Sequence, residues 1–141
     1  MENKVKDQTV TDRYAIYNSD CMMVMPTLKD ESIDLSVYSP PFAGLYNYSS
    51  SEMDFSNCES KEQFLEQYDF LVKEISRITK PNGIVISFGW NSNGIGMKRG
   101  YEIVEILLVA HGGHHNDTIV TVEKNILPYT NEDKILSKER Y

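Results

Sequence analysis

"SKEQFLEQYDFLVKEISRITKPNGIVISF", Ser60 to Phe88, decides the fold. Ser60-Lys61-Glu62-Gln63 has the form of a capping box, in which a hydroxyl and an amide side chain three residues on satisfy amides that the first turn of a helix leaves open. Phe64, Tyr68, Leu71, Ile75 and Ile78 then recur at helical spacing as far as Thr79. Lys80-Pro81-Asn82-Gly83 stops the helix, because proline and glycine punctuate a helix end. Ile84 to Phe88 is a short continuous apolar run of the kind buried in parallel sheets. Upstream, Ile33 to Tyr38 reads as another strand. Strand, long helix, turn, strand is a right-handed crossover unit, so the class is α/β.

Outward from this unit, "YAIYN" (Tyr14 to Asn18) alternates and suits a short strand. "SDCMMVMPTLKDES" reads as a helical turn or two, with Asp20 as N-cap and Pro26 closing it early. Downstream, "GWNSNGIGMKRG" is a glycine-rich loop. "YEIVEILLVA" and "DTIVTVEKN", divided by "HGGHH", are β-prone and are expected to pair antiparallel at the sheet edge. One domain is expected over residues 1–141, with 1–12 loose and 126–141 a peripheral tail.

The 141 residues suffice for a sizeable core, and 40% hydrophobic with 25% charged is the composition of a globular chain. Fourteen Lys and Arg against twenty-one Asp and Glu give a net charge of -7, so any grip on nucleic acid must come from local features and not from overall charge. No run has bilayer length and the N-terminus has no signal core, so a cytoplasmic location and no membrane partner are expected. Cys21 and Cys58 then read as reduced thiols.

The strand Ile33 to Tyr38 ends on Ser39-Pro40-Pro41-Phe42, at the strand end where ligands of doubly wound sheets bind. The prolines donate no N–H and hold the chain extended, which fixes the direction of the Pro40 carbonyl beside the Ser39 hydroxyl. Two close acceptors suit the two protons of an amino group on an aromatic base. Phe42 can then stack on a base flipped from the duplex.

"SPPF" after "DLSVY" resembles the catalytic motif of the DNA amino-methyltransferases, which move a methyl group from S-adenosylmethionine to the exocyclic amine of adenine or cytosine. The likeness runs from Tyr14 to Phe88 and is similar to phage and bacterial members, including those of restriction-modification systems. It implies a partial Rossmann-like methyltransferase sheet, mainly parallel with an antiparallel edge hairpin. It implies a catalytic motif of Ser39, Pro40, Pro41 and Phe42, in which Ser39 and the Pro40 carbonyl bond the target amine and Phe42 stacks on the ring. Asp20 and Cys21 would border the adenine of S-adenosylmethionine, in a segment where Ser19 stands for the family's glycine. Serine at the first motif position leans toward cytosine. DNA is the implied partner and S-adenosylmethionine the implied cofactor.

The family's glycine-rich cofactor turn is not found. Its nearest candidate, Gly94-Ile95-Gly96 with Gly100, has the wrong spacing and no acidic residue about twenty positions on. The chain is therefore expected to be a methyltransferase or the catalytic half of one, its site completed by a second chain or a homo-oligomer. The alternative is a non-catalytic acidic binding or inhibitor protein on a degenerate methyltransferase scaffold.

Tyr46, Tyr48 and Trp90 are candidate base-stacking residues, against a plainer reading in which the loop folds over its own aromatics. Lys98 and Arg99 can meet a phosphate or simply face solvent. His111, His114, His115 and Asp117 suggest a metal site, but adjacent histidines in a strand point to opposite faces and no cysteine is near, so no metal is expected.

Overall fold

The computed structural model describes residues 7–40, 50, 54–113 and 116–126. The contacts cluster into two compact units, Met1–Lys29 with Pro41–Glu74 and Asp30–Pro40 with Ile75–Tyr141.

In the first unit, β1 (Asp7–Val10) pairs antiparallel with β2 (Ala15–Asn18), so part of the segment expected to be loose is a strand. Thr11 makes the turn, its hydroxyl accepting from the Arg13 and Tyr14 amides at 3.2 and 3.0 Å. Helix α1 (Cys21–Val24) follows Asp20, whose carboxylate accepts from the Met22 amide at 2.9 Å. Pro26 does not end this helix directly; it sits in a 3-10 turn, Met25–Thr27, that prolongs it.

Helix α2 (Lys61–Ile78) runs through the boundary of the two units. Ser60 performs its half of the capping box, its hydroxyl accepting from the Gln63 amide at 3.1 Å. The Gln63 side chain reaches one residue further back than the motif predicts, to the Glu59 amide at 2.8 Å. Leu71, Val72, Ile75 and Ile78 are its buried apolar stripe.

The second unit is a four-stranded sheet in the order β3-β4-β6-β5, with β3 Ile33–Tyr38, β4 Thr79–Gly89, β5 Tyr101–Val109 and β6 Thr118–Asn125. β3 and β4 run parallel, with Leu35, Val37 and Tyr38 opposite Ile84, Ile86 and Ser87. β6 is antiparallel to both β4 and β5. The hairpin read from the sequence is present, but its second strand lies inside and its first is the edge.

Lys80 to Gly83, read as a plain turn, belongs to an irregularity at the start of β4, where the register jumps from Ile33 opposite Thr79 to Leu35 opposite Ile84. Asn82 takes a positive φ of 64° there. A Cβ on Gly83 would come within 2.7 Å of Thr79 Cγ2 and 2.8 Å of the Lys80 carbonyl, so the fold needs glycine at that position. Arg77 on the last turn of α2 bonds Asp30 at 2.6 Å, and the Glu31 and Ser32 amides donate to the Arg77 and Ile78 carbonyls, which anchors the entry to β3.

One face of this sheet is closed over β4, β6 and the start of β5, while Ile106 and Leu108 farther along β5 on that face stay exposed. Val85, Tyr101, Thr121 and Glu123 are fully buried there, and the Asn125 amide donates to the Thr79 and Lys80 carbonyls. Burial pushes the Tyr101 phenol above the ordinary tyrosine value, and Glu123 adds to the rise against the lowering effect of the nearby Thr79 and Ser76 hydroxyls. A phenol raised on folding stabilises fully below the unfolded value near 10 and loses that contribution as pH climbs through the folded one. Tyr101→Phe is thus expected to flatten the fall in thermal midpoint as pH climbs above about 10. At neutral pH it should change little, because the hydroxyl has no well-aligned hydrogen-bond partner to lose.

Candidate functional site

Ser39 and Pro40 follow directly on the carboxyl end of β3. The ladder stops where Pro40 offers no N–H, leaving Ser39 exposed and Pro40 half-buried at the strand tip. Since β4 runs parallel to β3, its own end carries Trp90 to the same sheet edge, with 39% of its surface open. The sheet thus brings together three of the residues read as catalytic or base-stacking. Pro41, Phe42, Tyr46 and Tyr48 lie outside the described residues.

Asp20 and Cys21 belong to the other unit. The Asp20 carboxylate is engaged as helix cap through one oxygen. The Cys21 thiol is pushed above its usual value by desolvation and by the Asp20 charge, which leaves little thiolate at neutral pH. Cys58 is raised for the same reasons, with Asp54 the neighbouring charge, and its Sγ donates to Gln67 Oε1 at 3.3 Å. Both cysteines are free thiols.

The glycine loop after β4 is not a cofactor cradle. Glu123, fully buried on β6, accepts from the Ile95 amide at 2.6 Å and the Gly96 amide at 2.9 Å. These are the amides a phosphate or carboxylate ligand would need, and the chain's own carboxylate takes them. Gly94 has a φ of +51°, and a Cβ there would stand 2.1 Å from Glu123 Oε2, so its glycine admits Glu123 and not a ligand. The described residues therefore do not fit S-adenosylmethionine through this loop. Arg99 folds back on the same segment, its guanidinium donating to the Ile95 carbonyl at 3.4 Å.

Glu123 is the residue that sequence reading missed. Its only signal is a carboxylate at an inward position of the alternating "TIVTVEKN", where burial demands a partner.

His111 and Asp117 bracket the turn between β5 and β6. The His111 amide donates to Asp117 Oδ1 at 2.9 Å, and the His111 Nε2 lies 2.8 Å from Thr118 Oγ1. His114 and His115 lie outside the described residues. Among the described residues no group of three or more His, Cys, Asp or Glu is placed to hold a metal, and no helix is long and apolar enough to cross a membrane.

A mixed α/β sheet with a serine-proline pair at the tip of β3 is what the described residues form. No family model matches the sequence, and no curated protein matches it. Solved structures do. TTHA0409 of Thermus thermophilus, classed as a DNA modification methylase, matches 79% of this chain and 52% of its own, with a TM-score of 0.55 and 15% identity. Its complex with S-adenosyl-L-methionine matches with a TM-score of 0.50 at 15% identity, over 79% of this chain and 55% of that one. The PvuII DNA methyltransferase, cytosine-N4-specific, matches 85% of this chain and 52% of its own, with a TM-score of 0.52 and 16% identity. At such identity the likeness is one of fold, and the chain spans about half the length of these neighbours.

Proposed function

We propose that this chain is the target-base half of an S-adenosylmethionine-dependent DNA amino-methyltransferase. The observation that carries the reading is the position of Ser39 and Pro40 at the carboxyl tip of a parallel strand, in a sheet that shares its fold with DNA methylases. There the Ser39 hydroxyl and the Pro40 carbonyl accept the two protons of a cytosine or adenine exocyclic amine, with Phe42 and Trp90 offering aromatic faces to the base. Holding both protons localises the nitrogen lone pair and directs it away from the ring.

The methyl donor is held elsewhere. Among the described residues, the glycine loop after β4 has its Ile95 and Gly96 amides engaged by Glu123, and Asp20 alone is too small a grip. On this reading the donor is held outside the described residues of the sheet unit.

Ser39→Ala tests the assignment. Its side chain is exposed, so the fold should be unchanged within about 0.5 kcal/mol. Methyl transfer by the completed enzyme should fall by at least about a hundredfold, as when one preorganised contact to the reacting group is removed. Unchanged transfer would remove Ser39 from the mechanism.

A second reading, an acidic binding protein on the same scaffold, is favoured by the net charge of -7 and by the self-satisfied glycine loop. It predicts no salt-sensitive binding to DNA, which a gel shift across several salt concentrations decides.

A further inference from the structure

We propose that this chain self-associates through the outer edge of β5, as a twofold dimer in which residues 105–109 of two copies pair antiparallel and join the two four-stranded sheets into one. β5 is the last strand in the order β3-β4-β6-β5, and beyond Tyr101 every residue of it is exposed. Continuous apolar runs belong to strands covered on both faces. Ile106 and Leu108 are 54% and 67% exposed on the face of buried Thr121, while Leu107 and Val109 are 43% and 44% exposed on the other. A helix laid on one face would leave the other wet, whereas a neighbouring strand flanks the side chains of both.

The first half of this edge is blunted, because Glu102, Glu105 and the register shift between Ile103 and Glu105 all disfavour a further strand there. The second half is open. Ile106 to Val109 has no charge, proline, glycine or register shift, and in the described sheet its outer side pairs with no strand.

The occupant follows from what this strand can match. A twofold axis normal to the sheet keeps each face on its own side, so opposed residues must have the same parity and the axis passes through a residue. Placed at Leu107, it sets Leu107 against its own copy, Ile106 against Leu108 and Glu105 against Val109, which uses all of the strand after the register shift. An axis at Ile106 would draw that shift into the ladder. Ile106-Leu107-Leu108 is nearly the same read in either direction, so each central side chain meets an apolar one, as a contact between identical surfaces requires. The two Glu105 carboxylates stand four residues apart along the ladder, about 14 Å, and no like charges face each other.

The exposed parts of Ile106 to Val109 amount to about two whole apolar side chains per copy and about four in the pair. That is a small interface core, and a Kd on the order of 10 μM is expected. Two chains of net charge -7 repel at long range, so added salt should tighten the dimer by screening that repulsion. β5 runs in the same direction as β3, and the twofold axis reverses it, which sets the two Ser39 tips at opposite edges of the joined sheet. The dimer therefore does not complete the Ser39 site, and it stands independently of the methyltransferase reading.

The test is sedimentation equilibrium of the whole chain from about 1 μM to about 300 μM, at low and high salt, beside Leu107→Lys. The substitution opposes two ammonium groups on the axis, and at 43% exposure the dilute variant should keep its circular dichroism and thermal midpoint. A wild-type dimer that the variant weakens at least about thirtyfold is expected. In a background of Cys21→Ser with Cys58→Ser, Leu107→Cys should oxidise to a disulfide with its own copy, since position 107 faces itself, while Glu102→Cys should not. If Leu107→Lys does not fold, the two cysteine variants decide alone. A strand supplied by another protein would leave the purified chain monomeric. A monomer throughout the range, a dimer indifferent to Leu107→Lys, a dimer that salt dissociates, or cross-linking at Glu102→Cys as readily as at Leu107→Cys would each overturn the proposal.

Discussion

Titrated with S-adenosylmethionine, the isolated 141-residue chain is expected to bind with a Kd on the order of 1 mM or weaker. A cofactor of this kind is oriented by a few polar groups that must offset the entropy lost on binding. The Ile95 and Gly96 amides are bonded to Glu123, and the Asp20 carboxylate already caps α1. What remains is an edge contact, and a thousandfold loss from micromolar affinity corresponds to about 4 kcal/mol, the sum of two or three good hydrogen bonds to charged groups. Calorimetry on the purified chain, followed by a radiolabelled methyl-transfer assay on mixed-sequence DNA, checks it. Micromolar binding or repeated turnover by the chain alone would show that another segment supplies the pocket.

Glu123→Ala is expected to destabilise the sheet unit by about 4 kcal/mol, because two amides lose a charged acceptor and the buried Ile95 amide is left unsatisfied. Its thermal midpoint should fall by roughly 20 °C. Glu123→Gln, which keeps one acceptor oxygen, should cost about half as much. Gly94→Ala attacks the same contact from the loop, since its Cβ would displace the Glu123 carboxylate and its φ of +51° disfavours a side chain. The two substitutions therefore share a mechanism, and the double variant should be much less destabilised than their sum. Denaturant unfolding followed by the fluorescence of Trp90, the single tryptophan, measures all four variants. Additive effects would mean that Glu123 and Gly94 act separately.

The elements legible in the sequence are those whose signals are local. Ser60 capping the Gln63 amide and the buried stripe of Leu71, Ile75 and Ile78 were visible because helix contacts lie within four residues. The strand Ile33–Tyr38 and its stop at Pro40 were visible because proline withdraws a donor wherever it stands. The partial methyltransferase fold could be read from "SPPF" after an apolar strand, and solved structures share that fold. Less legible were contacts between distant residues. Lys80 to Gly83 reads as a turn by composition, yet pairing with β3 draws it into an irregular strand.

By itself the sequence determined that a strand, a long capped helix and a second strand follow one another, and that a serine and two prolines stand at the first strand's end. Turn chemistry, capping and periodicity need no partner far along the chain. Only the tertiary structure decided that β6 lies inside and β5 at the edge, that Ser39, Pro40 and Trp90 share one sheet edge, and that Glu123 takes the amides of a loop 27 and 28 residues before it. Those facts depend on strand order and register, which are set by which faces can be buried together and not by any residue's neighbours in sequence.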